Sequence, residues 1–311
     1  MHLFFRDRMK GIAMVLVGAS LWGISGTVAQ ALFHREGIHA DWLVTVRLLC
    51  SGLVLLIWAS LNKQKIWAVW RSLRDAGQIL CFGLIGLLGV QYTYFISIEA
   101  GNATTATLLQ YLGPAFITLY VALRLKRWPQ RKDVAALALA LLGTFLLVTN
   151  GSLKGLTVPV PAVVWGLLSA LTAAFYTVYP SEMIRRWGSM TTIGWGMLIG
   201  GLGMGLFSPP WTIRDAHLSV HSLLLVAFVV LFGTLISFYL YIDSLRYLSP
   251  AEVGVLGSAE PLSAAVMSVI WLHHVPGLFE MIGGISIMAT VAILSSKKNE
   301  RKVITVTQKG I

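Results

Sequence analysis

SPAEVGVLGSAEPLSAAVMSVIW, residues 249–271, decides the class of this chain. It is long and apolar enough to cross a bilayer, which takes about 20 residues. Yet Glu260 and Pro261 fall near its middle. An ionised carboxylate at that depth costs at least about 2.5 kcal/mol, so Glu260 is expected to be neutral, paired or facing water. Proline removes a backbone hydrogen bond, which a membrane helix tolerates only beside other helices or a cavity. Two readings follow. Either Glu260 and the break mark a substrate path, as in carriers with discontinuous helices, or Glu260 is a protonated carboxyl bonded to a neighbouring helix and Pro261 a packing kink.

Working outward, the 311 residues are 56% hydrophobic and only 12% charged, with a mean hydropathy of +0.75. Soluble chains carry roughly twice that charge, so this is an integral membrane protein. The net charge of +11 is spread in short clusters between apolar runs, where it orients a chain in a membrane; no basic face with interleaved aromatics argues for nucleic acid. Cys50 and Cys81 lie inside apolar runs and are expected to be buried, reduced thiols. The N-terminus imitates a signal peptide, with basic MHLFFRDRMK ahead of Ala29-Gln30-Ala31. Its apolar run is too long for one and more runs follow, so it reads as a first span.

Ten spans emerge: 11–33, 41–60, 77–98, 102–123, 133–150, 160–181, 190–208, 219–243, 250–272 and 277–295. With the N-terminus inside, the inner segments hold twenty Lys and Arg and the outer segments three, Arg47 being within a span. That asymmetry predicts both termini in the cytoplasm. An offset of 147 pairs Pro114 with Pro261, Gly86 with Gly233, Tyr92 with Tyr239, Tyr94 with Tyr241, and Ser97 with Ser244. Five spans per half is an odd number, so the halves must be inverted relative to each other. The expected fold is all-α, ten transmembrane helices in two inverted-topology five-helix repeats, 1–150 and 151–296, with a basic cytoplasmic tail, 297–311. Ser249-Pro250-Ala251-Glu252 reads as a capping box. Asp41, Asn102 and Ser189 read as caps, and Asp243 is expected to pair with Arg246. Glycines in GWGMLIGGLGMGLF would let the seventh span approach a neighbour closely, within the monomer or across a homodimer.

Several segments, in this order, resemble the EamA-type members of the drug/metabolite transporter superfamily. They are GASLWGISG in the first span, RLLCSGLVLL in the second, ATTATLLQYLGPAFITL in the fourth, LSALTAAFYTVYP in the sixth and EVGVLGSAEPLSAAVMSVIWL in the ninth. The resemblance implies an inner-membrane carrier that moves small metabolites by alternating access, usually exporting amino acids, related compounds or toxic amphiphiles. Family repeats often end in a Gly-Glu pair. Here the corresponding places hold Arg124 and the residues after it, and His273-His274, so no role of that Glu carries over.

Few polar groups sit at depth. Only Arg47 and Glu260 carry charge there, either paired in a lock or each meeting one end of a zwitterion, the carboxylate docking on Arg47. Arg47 lies near the outer end of its span and could instead snorkel. Trp22, Gln30, Tyr92, Gln110, Tyr111, Tyr176 and Tyr239 are the further candidates for binding or coupling, against the alternative that each aromatic packs in a helix seam. Pro114 and Pro261 are the expected helix breaks. Trp58, Trp67, Trp70, Trp128, Trp187 and Trp211 read as interface anchors. Histidines 34, 39, 217, 221, 273 and 274 fall in or beside outer loops without the spacing of a metal site. No nucleotide loop, H-E-x-x-H or G-x-S-x-G occurs, so no cofactor or metal is expected. The function expected is a secondary transporter of small metabolites in the plasma membrane, with protons as the candidate coupling ion. The alternative is a non-transporting accessory subunit or an intramembrane enzyme.

Overall fold

The computed structural model describes residues 2–124, 130–152, 155–213, 219–248, 250–274 and 276–295, and among them it is helical with no strand. The helices are α1 (His2–Arg35), α2 (Ala40–Leu61), α3 (Leu73–Ala100), α4 (Ala103–Arg124), α5 (Arg131–Thr149), α6 (Val160–Val178), α7 (Ser189–Gly205), α8 (Val220–Ser244), α9 (Pro250–Leu256 and Ala259–Leu272) and α10 (Leu278–Ser295). A 3₁₀ turn, Ile66–Arg71, precedes α3, and a short helix, Ser181–Trp187, precedes α7.

Eight of these helices are long and apolar enough to cross a membrane; in α10 the apolar stretch, Leu278–Leu294, is shorter. The seventh expected span, α7, has 17 residues with six glycines, which lower its hydropathy. Those glycines bring backbones together within the chain. A Cβ at Gly201 would meet Leu49 N at 2.8 Å, and one at Gly200 would meet Gly83 O at 2.9 Å. α7 is thus wedged against α2 and α3, as small residues at membrane interfaces allow.

Capping chemistry fixes several helix starts. Asn102 accepts from Thr105 N at 2.8 Å and opens α4. Asp41 is not a cap: α2 begins at Ala40 after His39, and Asp41 Oδ1 accepts from Trp42 N inside the first turn. Gly188, at φ 80°, takes the place expected of Ser189. Ser249, Trp128, His217 and the tail 297–311 lie outside the described residues. The expected pair of Asp243 and Arg246 forms at 2.7 Å. Cys50 and Cys81 are both free, but neither is buried as expected: Cys50 is exposed and Cys81 half-buried.

The packing has a regular pattern. α1 runs along α8 and α9, α6 along α3 and α4, α2 packs on α7, and α5 on α10. Exchanging α1–α5 for α6–α10 maps this set onto itself. The local irregularities recur too. α3 contains a π-helical segment at Phe82–Leu88 and α8 one at Leu231–Ile236, close to the offset of 147. α4 breaks between Gln110 and Gly113, and α9 between Leu256 and Ala259.

The exchange also exposes an asymmetry. α1 packs on the end of α3 and the start of α4, the second arm of α9 packs on the start of α4, and α2 packs on the end of α3. Their counterparts, α6 and the second arm of α4 on the first arm of α9, and α6 and α7 on the end of α8, show no comparable packing among the described residues. The bundle is therefore sealed where α1 ends and α4 begins. It is loose at the opposite end.

Candidate functional site

The breaks of α4 and α9 face each other in the middle of the bundle. Pro261 has no N–H to offer the carbonyl four residues back; Gly257 O accepts from Glu260 N at 2.9 Å instead and keeps room for a second donor. Tyr111, at the break in α4, donates its hydroxyl to that carbonyl at 2.6 Å and contacts Glu260 Oε2 at 3.1 Å. Glu260 as a residue is half-buried. Gly23 lets α1 come directly against this point: a Cβ there would lie 2.8 Å from Ala264 N and would overlap Glu260 O and Ser263 Oγ. Beside Gly23, Trp22 packs on Tyr241 at 4.9 Å and on Phe238 at 5.5 Å. The Tyr241 hydroxyl reaches Gly257, 3.4 Å from where a Cβ would stand.

Arg47 is 6% exposed and does not snorkel. Its Nε donates to Thr234 Oγ1 at 2.5 Å and its Nη2 to Gly233 O at 2.8 Å. The guanidinium lies over the Phe95 ring, 5.0 Å from the centroid. π-helical winding explains the acceptors, because it loosens the backbone ladder. Thr234 Oγ1 itself donates to Val229 O, five residues back. No ion pair joins Arg47 to Glu260, so the lock expected from their isolation is absent. The two remain within electrostatic range.

The other candidates divide by position. Gln110 Nε2 donates to buried Ser169 on α6 at 2.7 Å, on the α4 arm that leads to the break. Tyr176 stacks on Phe82 at 5.9 Å. Gln30 lies apart, accepting from Ala103 N at 2.8 Å and tying α1 to the start of α4. Tyr92 meets Trp165 edge-on at 5.7 Å. Tyr239 is 41% exposed and stacks on Trp58 at the outer surface of the bundle. The tyrosines that do face inward are Tyr94, whose hydroxyl is 2.8 Å from Thr107 Oγ1, and Tyr241. Each lies two residues beyond the one singled out, and two residues are about 200° of helix. Which face of each helix turned inward needed the packing.

Of the loop histidines, His39 Nδ1 sits 3.0 Å from Glu99 and His274 Nε2 3.7 Å from Glu280. Among the described residues no three potential ligands gather into a metal site.

The EamA-like transporter family matches residues 9–149 and again 160–296. The chain belongs to this family. It is 35% identical over 294 residues to the uncharacterized inner membrane transporter YicL of Salmonella typhimurium, covering 94% of this chain and 97% of that one. It is 27% identical to the threonine/homoserine exporter RhtA of the same organism, covering 92% and 89%. A solved crystal structure matches 93% of this chain and 96% of its own at TM-score 0.61 and 17% identity, a likeness of fold. The protein is accordingly a multi-pass membrane transporter of a small molecule and not an enzyme.

Proposed function

We propose that this EamA-family protein is a secondary transporter that exports small zwitterionic or amine metabolites across the plasma membrane, with amino acids the first class to test. In this reading ten spans form two inverted halves, 1–150 and 151–296, that rock about a central site, with both termini in the cytoplasm. The recurrence of the breaks and π-helical segments and the exchangeable packing favour inverted halves. The twenty-to-three distribution of cations favours the orientation. On that orientation the sealed end is outside, and the structure faces inward. The name of the relative RhtA as a threonine/homoserine exporter favours the substrate class and direction.

One observation carries the site: Glu260, the one carboxyl at depth, stands at the break of α9 against the Tyr111 hydroxyl from the break of α4. Glu260 exchanges a proton with the open side or meets the substrate amine, and Tyr111 senses which. Trp22, Tyr241, Tyr176 and Gln110 line the approach. A substrate moves the equilibrium only by binding one facing state better than the other, and contacts made across two breaks change whenever the halves move.

Counterflow in proteoliposomes, with labelled amino acids and amines at matched and mismatched pH, tests this. Saturable accumulation that needs internal unlabelled substrate is expected. Glu260→Gln should keep exchange at matched pH and lose the response to a pH step. Full pH-driven transport by Glu260→Gln overturns the coupling role. Silence of folded, inserted protein across the panel overturns the substrate class.

A further inference from the structure

We propose that the rim formed by residues 61–74 and the short helix Ser181–Trp187 is a binding surface for anionic phospholipid headgroups. The proposal rests on membrane insertion and on which groups share this rim, not on the transport reading. The 3₁₀ turn Ile66–Arg71 is held by Trp195, whose Nε1 donates to Ile66 O at 2.8 Å and whose ring takes Trp67 and Trp70 edge-on. The turn is thereby pinned between the end of α2, the start of α3 and Trp195 of α7. From it Trp67 projects at 67% exposure and Leu73 at 94%, more apolar surface than water-facing loops present and typical of a segment resting in the lipid interface.

The cations on the same rim are unspent. Its acidic groups Asp75 and Glu182 are both taken by Arg186. Lys63, Lys65, Arg71, Arg74 and Arg185 are exposed, and none has an acidic partner among the described residues. They come from different parts of the chain but share one place. Gln64 Oε1 accepts from Thr191 Oγ1 at 2.9 Å and borders Gly188, which sets Lys63 and Lys65 beside the helix end carrying Arg185. The Arg186–Asp75 bond, 3.2 Å, does the same for Arg71 and Arg74. Lys63 also has φ 58°, a left-handed conformation that glycine takes freely and lysine does not. The conformation belongs to the helix end: Gln64 N donates to Ala59 O at 3.0 Å and Lys63 N to Ser60 O at 2.9 Å, the pair of bonds that closes α2 and turns the chain into the rim.

A phospholipid diester offers one negative charge at the depth of these side chains, with acyl chains to lie against Trp67 and Leu73. Each Lys or Arg near an anionic membrane surface is worth about fivefold in affinity. The test uses the full chain in nanodiscs of phosphatidylcholine with a graded fraction of phosphatidylglycerol, with bound lipid read by native mass spectrometry. Lys63→Gln/Lys65→Gln and Arg71→Gln/Arg74→Gln should each lower apparent affinity for phosphatidylglycerol at least tenfold. Arg131→Gln/Lys132→Gln, exposed cations at the start of α5, should change it less than twofold. Raising salt from 0.1 to 1 M shortens the screening length from about 10 to 3 Å and should remove the preference from the unaltered protein, a reading that needs no variant to fold. Retention of phosphatidylglycerol by the rim variants, equal loss in the α5 variant, or a preference that survives 1 M salt overturns the proposal. So does displacement of the lipid by soluble glycerol phosphate at equal concentration, which would make the rim a phosphate site rather than a lipid surface.

Discussion

Replacing Gly23 by alanine tests the geometry of the site with a single methyl group. The added Cβ would stand 2.8 Å from Ala264 N and overlap Glu260 O and Ser263 Oγ. Two of these three are backbone atoms of α9 and cannot rotate away. Ordinary contact needs about 3.5 Å, so α1 and α9 must part by roughly an ångström along their crossing. That loosens Thr27, whose hydroxyl reaches Ala264 O at 3.3 Å, and shifts Glu260 relative to Tyr111. Overpacking of this kind costs about 1–3 kcal/mol, or about 2–10 °C in melting temperature for a chain of this size. Thermal unfolding of the purified protein, read by thiol-reactive dye or by size exclusion after heating, measures it. Gly77→Ala, where a Cβ would meet nothing within 4 Å, is the control and should match or exceed the unaltered protein. Counterflow at 20 °C should fall more than stability explains, because the displaced atom is the backbone of Glu260. If Gly23→Ala melts within a degree of the control and transports normally, the close crossing at Glu260 is refuted.

Tyr111→Phe removes the hydroxyl from Gly257 O and Glu260; Gly257 O keeps Glu260 N as its donor, so the cost should be about 1 kcal/mol, with a shifted pH dependence of counterflow as its functional sign. Arg47→Met strands Gly233 O and Thr234 without their donor while preserving bulk over Phe95; a loss of about 2 kcal/mol in stability is expected, and hydrogen exchange in α8 should rise around residues 231–236. Tyr241→Phe should alter transport, whereas Tyr239→Phe should not, as parallel uptake assays will show. Asn102→Ala deletes a cap and should lower stability by about 1 kcal/mol.

The class of the protein was legible because hydropathy is additive along a chain, and so were most helix boundaries. The two facing breaks were legible because Pro114 and Pro261 remove a particular bond wherever they sit. Glu260 stood out because a carboxyl at depth is costly. Other features depend on packing. Arg47 and Glu260 looked like partners because opposite charges are scarce in the membrane. Winding irregularity in α8 offers Arg47 a carbonyl and a hydroxyl instead, and Gly233 alone does not announce a π-helical segment. Tyr239 and Tyr241 differ by two positions on one helix, both flanked by apolar residues, so neither local hydropathy nor residue type separates the inward face from the lipid face. The seventh span was expected at 190–208 as an apolar run, and the helix found there has 17 residues, fewer than the helices long enough to cross, and its glycines trade hydropathy for contact.

On the proposed alternating-access reading, the asymmetry between the halves bears on how two facing states would interconvert. α7 touches the π-helical segment of α3 through bare backbone, Gly200 on Gly83, whereas α2 reaches the corresponding segment of α8 through the Arg47 side chain. If opening to the outside exchanges the arrangements of the two halves, α2 must approach α8 as α7 now approaches α3, and a guanidinium is then in the way. Arg47 must leave Gly233 and would turn toward Glu260, the carboxyl within its electrostatic range among the described residues. The pair missing from this structure is thus expected in the opposite state. Cysteines placed at the loose end of α6 and α8 in an Arg47→Lys background would report it: accessibility should shift toward the outward-facing state's pattern when the fork to Gly233 and Thr234 is lost. An unchanged pattern would mean that Arg47 only braces α8.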